Sequence, residues 1–158
     1  MFSVKATQAY QLDFAGYWRE PIASGLTAKS GIYAVCACVH NQLANTVTLN
    51  RLLYIGEAGD VRGRVTNHER LPDWKRQLKA GEVLCLNAAL IAPDGARQRA
   101  EAAMIFKHKP ICNAEYVDAF PFDTTRVTTS GRNALMHPTF VVTRTEKAVA
   151  GAYTRRWI

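Results

Sequence analysis

The sequence predicts an α/β (α+β) domain: a small three-stranded antiparallel central sheet flanked by helices, with an extra N-terminal segment and a β-like C-terminal extension. Three observations carry that expectation. Two nearly continuous apolar runs, "GIYAVCACV" at 31–39 and "RLLYIGEA" at 51–58, read as strands, each buried on both faces. A third run, "EVLCLNAALIA" at 82–92, reads as another strand. Between and after them lie segments with helix start and stop signals.

The polar "HNQLANTVTLN" at 40–50 joins the first two runs as a hairpin with a long loop. In "GDVRGRVTNHERL", Asp60 is placed to cap a helix N-terminus, and Gly63 weakens the helix that follows. "DWKRQLKAG" reads as a second short helix closed by Gly81. "PDGARQRAEAAMIFKHKP" is the clearest helix: it opens after Pro93-Asp94, is rich in Ala, and is ended by Pro110. After Asn113, Thr-, Val- and Phe-rich runs with turn signals at "TSGRN" and "HP" suggest one or two further strands.

The chain has 158 residues, a length that fits one domain, and 48% of them are apolar, enough for a real core. The net charge is +7, and the window 62–79 alone carries +4 of it. A clustered basic excess favours an anionic partner, nucleic acid before an acidic membrane surface. The four cysteines (Cys36, Cys38, Cys85, Cys112) show no zinc-ligand spacing. They read as small buried apolar residues of a reducing compartment. With no apolar run of membrane-spanning length and no signal-peptide pattern, the expected location is the cytoplasm and no membrane partner is expected.

"GIY" at 31–33 and "YIG" at 54–56 are followed by Arg64 and His68, ten and fourteen residues after Tyr54, then by Glu101 and by Asn113 in "KPICN". With these residues in this order, 31–113 resembles the catalytic domain of the GIY-YIG nuclease superfamily. The remainder is then a single-domain elaboration, with 1–30 an N-terminal extension and 114–158 a β-rich C-terminal one. The resemblance implies a metal-dependent endonuclease that hydrolyses DNA, single- or double-stranded, with one divalent ion, Mg2+ or Mn2+. In one respect this chain departs from the family pattern. Twenty residues separate Tyr33 from Tyr54, more than the usual spacing, and a longer hairpin absorbs them.

Each implied role stands beside an ordinary explanation. A strand Tyr commonly packs its ring and leaves its hydroxyl at water. The resemblance implies instead that Tyr33 and Tyr54 converge on the scissile phosphate, Tyr33 as general base or water positioner. As a base it would need neighbouring cations to bring its pKa down from about 10. Arg64 and His68, four residues apart, are expected on one helix face. Arg64 is either a weak surface partner of Asp60 or the phosphate-binding guanidinium. His68 is either a solvated helix residue or a proton-transfer group. Glu101, flanked by Met104 and Ile105 on its helix, needs a partner: Arg97 structurally, or the divalent ion functionally. Asn113 is either a turn residue or a support for the site. Arg62, Arg70, Lys75, Arg76, Lys107 and Lys109 are candidate nucleic-acid contacts, and Trp74 is a helix-packing residue before it is a base-stacking one. Two other classes remain beside the nuclease: a catalytically inactive nucleic-acid-binding module of the same kind, and a structural or protein-interaction domain.

Overall fold

A computed structural model of the chain describes residues 7–93 and 95–145. In order, it contains β1 (Gln8–Arg19), a short 3-10 helix (Glu20–Gly25), β2 (Gly31–Asn41), β3 (Thr46–Ala58), α1 (Val61–Thr66), α2 (Leu71–Arg76), β4 (Val83–Leu90), α3 (Gly95–His108), β5 (Thr125–Gly131) and β6 (Thr139–Val142). The terminal "YTRRWI" and the helix-opening Asp94 lie outside the described residues.

The expected three-stranded sheet is corrected to a six-stranded mixed sheet in the order β3-β2-β4-β1-β5-β6, curled into a half-barrel. The expected strands β2, β3 and β4 do neighbour one another antiparallel. What enlarges the sheet is β1. It pairs antiparallel with β4 on one side and parallel with β5 on the other. Its residues explain why it is taken inside: Tyr10, Leu12 and Phe14 alternate with Gln11 and Asp13, and Leu12 and Phe14 are buried. That is the period-2 pattern of a strand with one apolar face. The segment before residue 31 therefore contributes an interior strand, and β5 and β6 extend the same sheet.

β2 is buried along both faces from Gly31 to Cys38, as its unbroken apolar run requires. Ile32 and Ala34 pack with α3, through Ala100, Ala103 and Met104. Tyr33, Val35 and Ala37 face the opposite cluster, with Val61 and Val65 of α1 and Trp74 of α2. The candidate site sits where β2 and β3 bring these two clusters together.

α1 begins as expected: the Asp60 carboxylate accepts from the Gly63 backbone N–H at 3.0 Å. It ends after one and a half turns, at Thr66, where Asn67 leaves helical geometry. His68 is thus in the turn between α1 and α2, and the expectation of one helix face shared with Arg64 is corrected. α2 opens with Pro72 in its first turn and ends at Arg76, before the positive-φ turn residue Gly81.

The reading of all four cysteines as free apolar fillers is also corrected. Cys38 of β2 and Cys85 of β4, with Cα atoms 6.2 Å apart, form a disulfide, while Cys36 and Cys112 are free and buried. The register places Cys36, not Cys38, opposite Cys85, so the bridge runs diagonally across the strand pair. The cysteines consequently no longer support a reducing compartment. Among the described residues, no helix is long and apolar enough to cross a membrane.

Candidate active site

Tyr33 of β2 lies opposite Gly56 of β3 in the strand register. A Cβ at position 56 would overlap the Tyr33 ring and hydroxyl, so only glycine leaves room for this tyrosine to lie across β3. At the start of the same strand, a Cβ on Gly31 would press 2.5 Å from the Ala89 carbonyl oxygen. The "GIY" and "YIG" glycines thus have separate steric reasons. Tyr33 is buried and Tyr54 partly so, with ring centroids 6.2 Å apart.

His68 closes this pair from the α1–α2 turn. Its ring is buried, 4.5 Å from the Trp74 ring and 5.4 Å from the Tyr54 ring. Trp74 is buried as well, so it packs the site from behind and is not placed to stack on a base. The Arg70 backbone N–H donates to His68 Nδ1 at 3.0 Å. That assigns the ring proton to Nε2, which donates to the Tyr33 hydroxyl oxygen at 2.8 Å. Burial, and after it the Arg64 charge, lowers the His68 pKa to about 4, so the ring is neutral at neutral pH. Burial, then Tyr54, raises the Tyr33 pKa well above its ordinary value. Tyr33 is therefore a protonated phenol. It receives one hydrogen bond from His68 and retains its own proton to give.

Arg64 does not pair with Asp60. It makes two parallel bonds to the Glu69 carboxylate, at 2.6 and 2.8 Å, and holds that carboxyl down to about 2. Both side chains are substantially exposed. An exposed pair of this kind contributes little to stability and can exchange its carboxylate for a phosphate. Arg64 also acts on Tyr33, Tyr54 and His68, which places its charge at the cluster.

Glu101 approaches from α3 on the far side of Tyr54. A cavity of about 110 Å3 is lined by Tyr54, Arg70, Glu101, Asn113 and Glu115. Arg97 does not partner Glu101. It bonds Glu57 through Nε at 2.6 Å and Ser30 through Nη1 at 3.0 Å. Burial first, then the Glu57 and Glu115 charges, raises the Glu101 pKa to about 8. A carboxyl in that setting attracts either a proton or a cation.

Asn113 lines this cavity, but its amide is committed to β3. Its side chain accepts from the Ile55 backbone N–H at 3.0 Å and donates to the Ile55 carbonyl at 2.9 Å. It thereby acts as one extra ladder partner for the β3 edge and fixes the strand between Tyr54 and Gly56.

The predicted nucleic-acid contacts divide. Arg70 belongs to the cavity itself: its guanidinium lies 5.9 Å from the Tyr54 ring centroid, donates to the Cys112 carbonyl at 2.7 Å and pairs with Asp73. Arg62 donates to the Leu26 carbonyl at 2.8 Å and ties α1 to the segment after the 3-10 helix. Lys75 pairs with Glu20, Arg76 with Asp73, and Lys109 donates to the Val117 carbonyl and lies over the Phe106 ring. Lys107 is exposed near the end of α3.

Sequence reasoning missed Glu57 and Glu115. Strand alternation could have found Glu57: two positions after Ile55, it shares that residue's face, which meets α3. Glu115 lies in an irregular segment and left no such signal.

Among the described residues, no group of three or more His, Cys, Asp or Glu side chains that could hold a metal gathers in one place. A one-carboxylate Mg2+ or Mn2+ site is compatible with this, because water and phosphate oxygens complete the shell. The residues fit such an ion, since Glu101 is a hard oxygen donor in a locally negative setting. No family model, curated protein or solved structure matches the chain.

Proposed function

We propose that this protein is a metal-dependent endonuclease that hydrolyses phosphodiester bonds in DNA through a GIY-YIG-type site. The observation that carries the reading is one constellation: the Tyr33 phenol held by His68, with Tyr54, Arg64 and Glu101 close enough to act on it electrostatically. These five residues come from β2, β3, α1, the α1–α2 turn and α3. What supports the reading is the buried His68–Tyr33 hydrogen bond near a carboxyl that burial pushes up to about 8, the kind of perturbed group that gathers at functional sites.

The roles follow from the protonation states. Tyr33 acts as a neutral relay, not as a phenolate. Its remaining lone pair accepts a proton from the attacking water while its own proton passes to a phosphoryl oxygen. His68 Nε2–H holds that hydroxyl in place. Arg64 leaves Glu69 for the phosphate and neutralises charge that builds in the transition state. Tyr54 and Arg70 wall the cavity. Glu101 would hold the divalent ion, which supplies neutralisation of the phosphate and of the leaving oxygen.

A second reading, binding without cleavage, draws on one observation: Arg64 is engaged by Glu69 in the geometry described. Cleavage of labelled single- and double-stranded DNA with Mg2+ or Mn2+ separates the two. The nuclease reading expects products from wild type and none from Glu101→Ala or Arg64→Ala. Full activity in both variants refutes the site, and a wild type that binds but cuts no substrate with either metal supports the second reading.

A further inference from the structure

Most described arginines are neutralised inside the fold. Arg51, Arg64, Arg70, Arg76, Arg97 and Arg144 each pair with a carboxylate. Arg62 and Arg99 donate to backbone carbonyls. Arg19, at the end of β1, Arg126 of β5 and Arg132, just after β5, have no carboxylate partner among the described residues, and of these Arg19 and Arg132 line one depression of about 410 Å3. His40 and Asn45 of the β2–β3 hairpin complete its wall with Tyr17 and Thr46, and no acidic side chain lines it. His40 Nε2 lies 3.4 Å from Asn45 Oδ1, and the Tyr17 hydroxyl accepts from the Ala134 backbone N–H at 3.3 Å. Two unneutralised guanidiniums beside imidazole, amide and hydroxyl groups form a concave donor set for a tetrahedral oxyanion.

We propose that this depression is a second phosphate-binding site, separate from the catalytic cluster. His40 stands seven positions beyond Tyr33 on β2, about 23 Å at 3.3 Å per residue. The walls of the depression come from β1, the lengthened β2–β3 hairpin and the β5–β6 connection. The phosphate comes from a nucleic-acid backbone or from free phosphate. The first source rests on the nuclease reading, and the second does not.

The test compares full-length wild type, the Arg19→Ala/Arg132→Ala double variant and the Arg19→Lys/Arg132→Lys double variant. DNA affinity is measured against salt concentration, and the His40 ring is followed by NMR during titration with inorganic phosphate. If the backbone occupies the site, losing two contacts lowers the log–log salt slope by about 1.8 on duplex or about 1.4 on single strands. Between 50 and 200 mM salt, wild-type duplex affinity then falls about 12-fold further than that of the alanine variant. The lysine variant keeps the wild-type slope, which shows that charge and not misfolding is read out. If free phosphate is the occupant, the slope is unchanged, but phosphate shifts the His40 resonances in wild type and not in the alanine variant. An unchanged slope together with no phosphate response overturns the site. DNA cleavage by the same proteins tests the nuclease reading separately, because neither arginine belongs to the catalytic cluster.

Discussion

Acidification should weaken this fold through His68, by an amount that follows from the ring's surroundings. The ring is buried and its pKa in the folded protein is about 4, against 6.5 ordinarily. Above pH 6.5 it is neutral in both states and its full contribution is present. Below that, the unfolded chain takes up a proton that the folded ring refuses until about pH 4, so stability falls with pH through this window. At 1.36 kcal/mol per pKa unit, the loss at pH 5 relative to pH 7.5 is about 2 kcal/mol, with a limit of about 3 kcal/mol. His68→Gln is the control: its amide can still donate to Tyr33 but does not titrate. Denaturant unfolding of both proteins at the two pH values cancels the contribution of ion-paired carboxylates such as Glu69, which both share. Wild type should lose about 2 kcal/mol more than the variant. Equal losses would refute the buried neutral tautomer and, with it, the assignment of the Nε2 proton to Tyr33.

Two further changes test how the site is held. Gly56→Ala puts a methyl group into the Tyr33 ring, and overpacking of this kind should cost about 1–3 kcal/mol in denaturant unfolding and displace the phenol from His68. Wild-type stability and an unchanged Tyr33–His68 signal in NMR would contradict the close approach. Asn113→Ala removes two bonds to Ile55 and leaves both backbone groups of the β3 edge without that partner, a loss of about 2–3 kcal/mol. Faster hydrogen exchange at the Ile55 amide should accompany it, and unchanged exchange would show that the side chain does not pin the strand.

The grouping of the candidate site residues was more legible in the sequence than the sheet was. Tyr33, Tyr54, Arg64, His68 and Glu101 carry chemistry-bearing groups in a fixed order, and the fold brings them together whatever surrounds them. The sheet outgrows its expected size at "AYQLDF", whose alternation is plain but which lies before the motifs, outside the 31–113 span that the resemblance covers. Its pairing with β5 joins residues more than a hundred positions apart, and no local pattern announces that. The disulfide was hidden for the same reason: Cys38 and Cys85 are 47 residues apart and meet only once β2 and β4 pair. The helix expected to run through His68 stops at Thr66, so spacing pointed to a histidine that meets Tyr33 while misplacing the element that carries it. Arg64 and Arg97 took partners that spacing did not suggest. Glu69 lies in the α1–α2 turn and Glu57 on β3, so neither partner sits on its arginine's own helix.

The central claim is that the Tyr33 phenol works on a phosphodiester. Single-turnover cleavage of DNA by wild type and Tyr33→Phe, at matched DNA occupancy with Mg2+, tests it most directly, because the substitution removes one hydroxyl and leaves the ring. A lost proton relay predicts a rate reduction of about 10²–10⁴-fold with DNA affinity unchanged. A Tyr33→Phe protein that cuts at the wild-type rate would contradict the account.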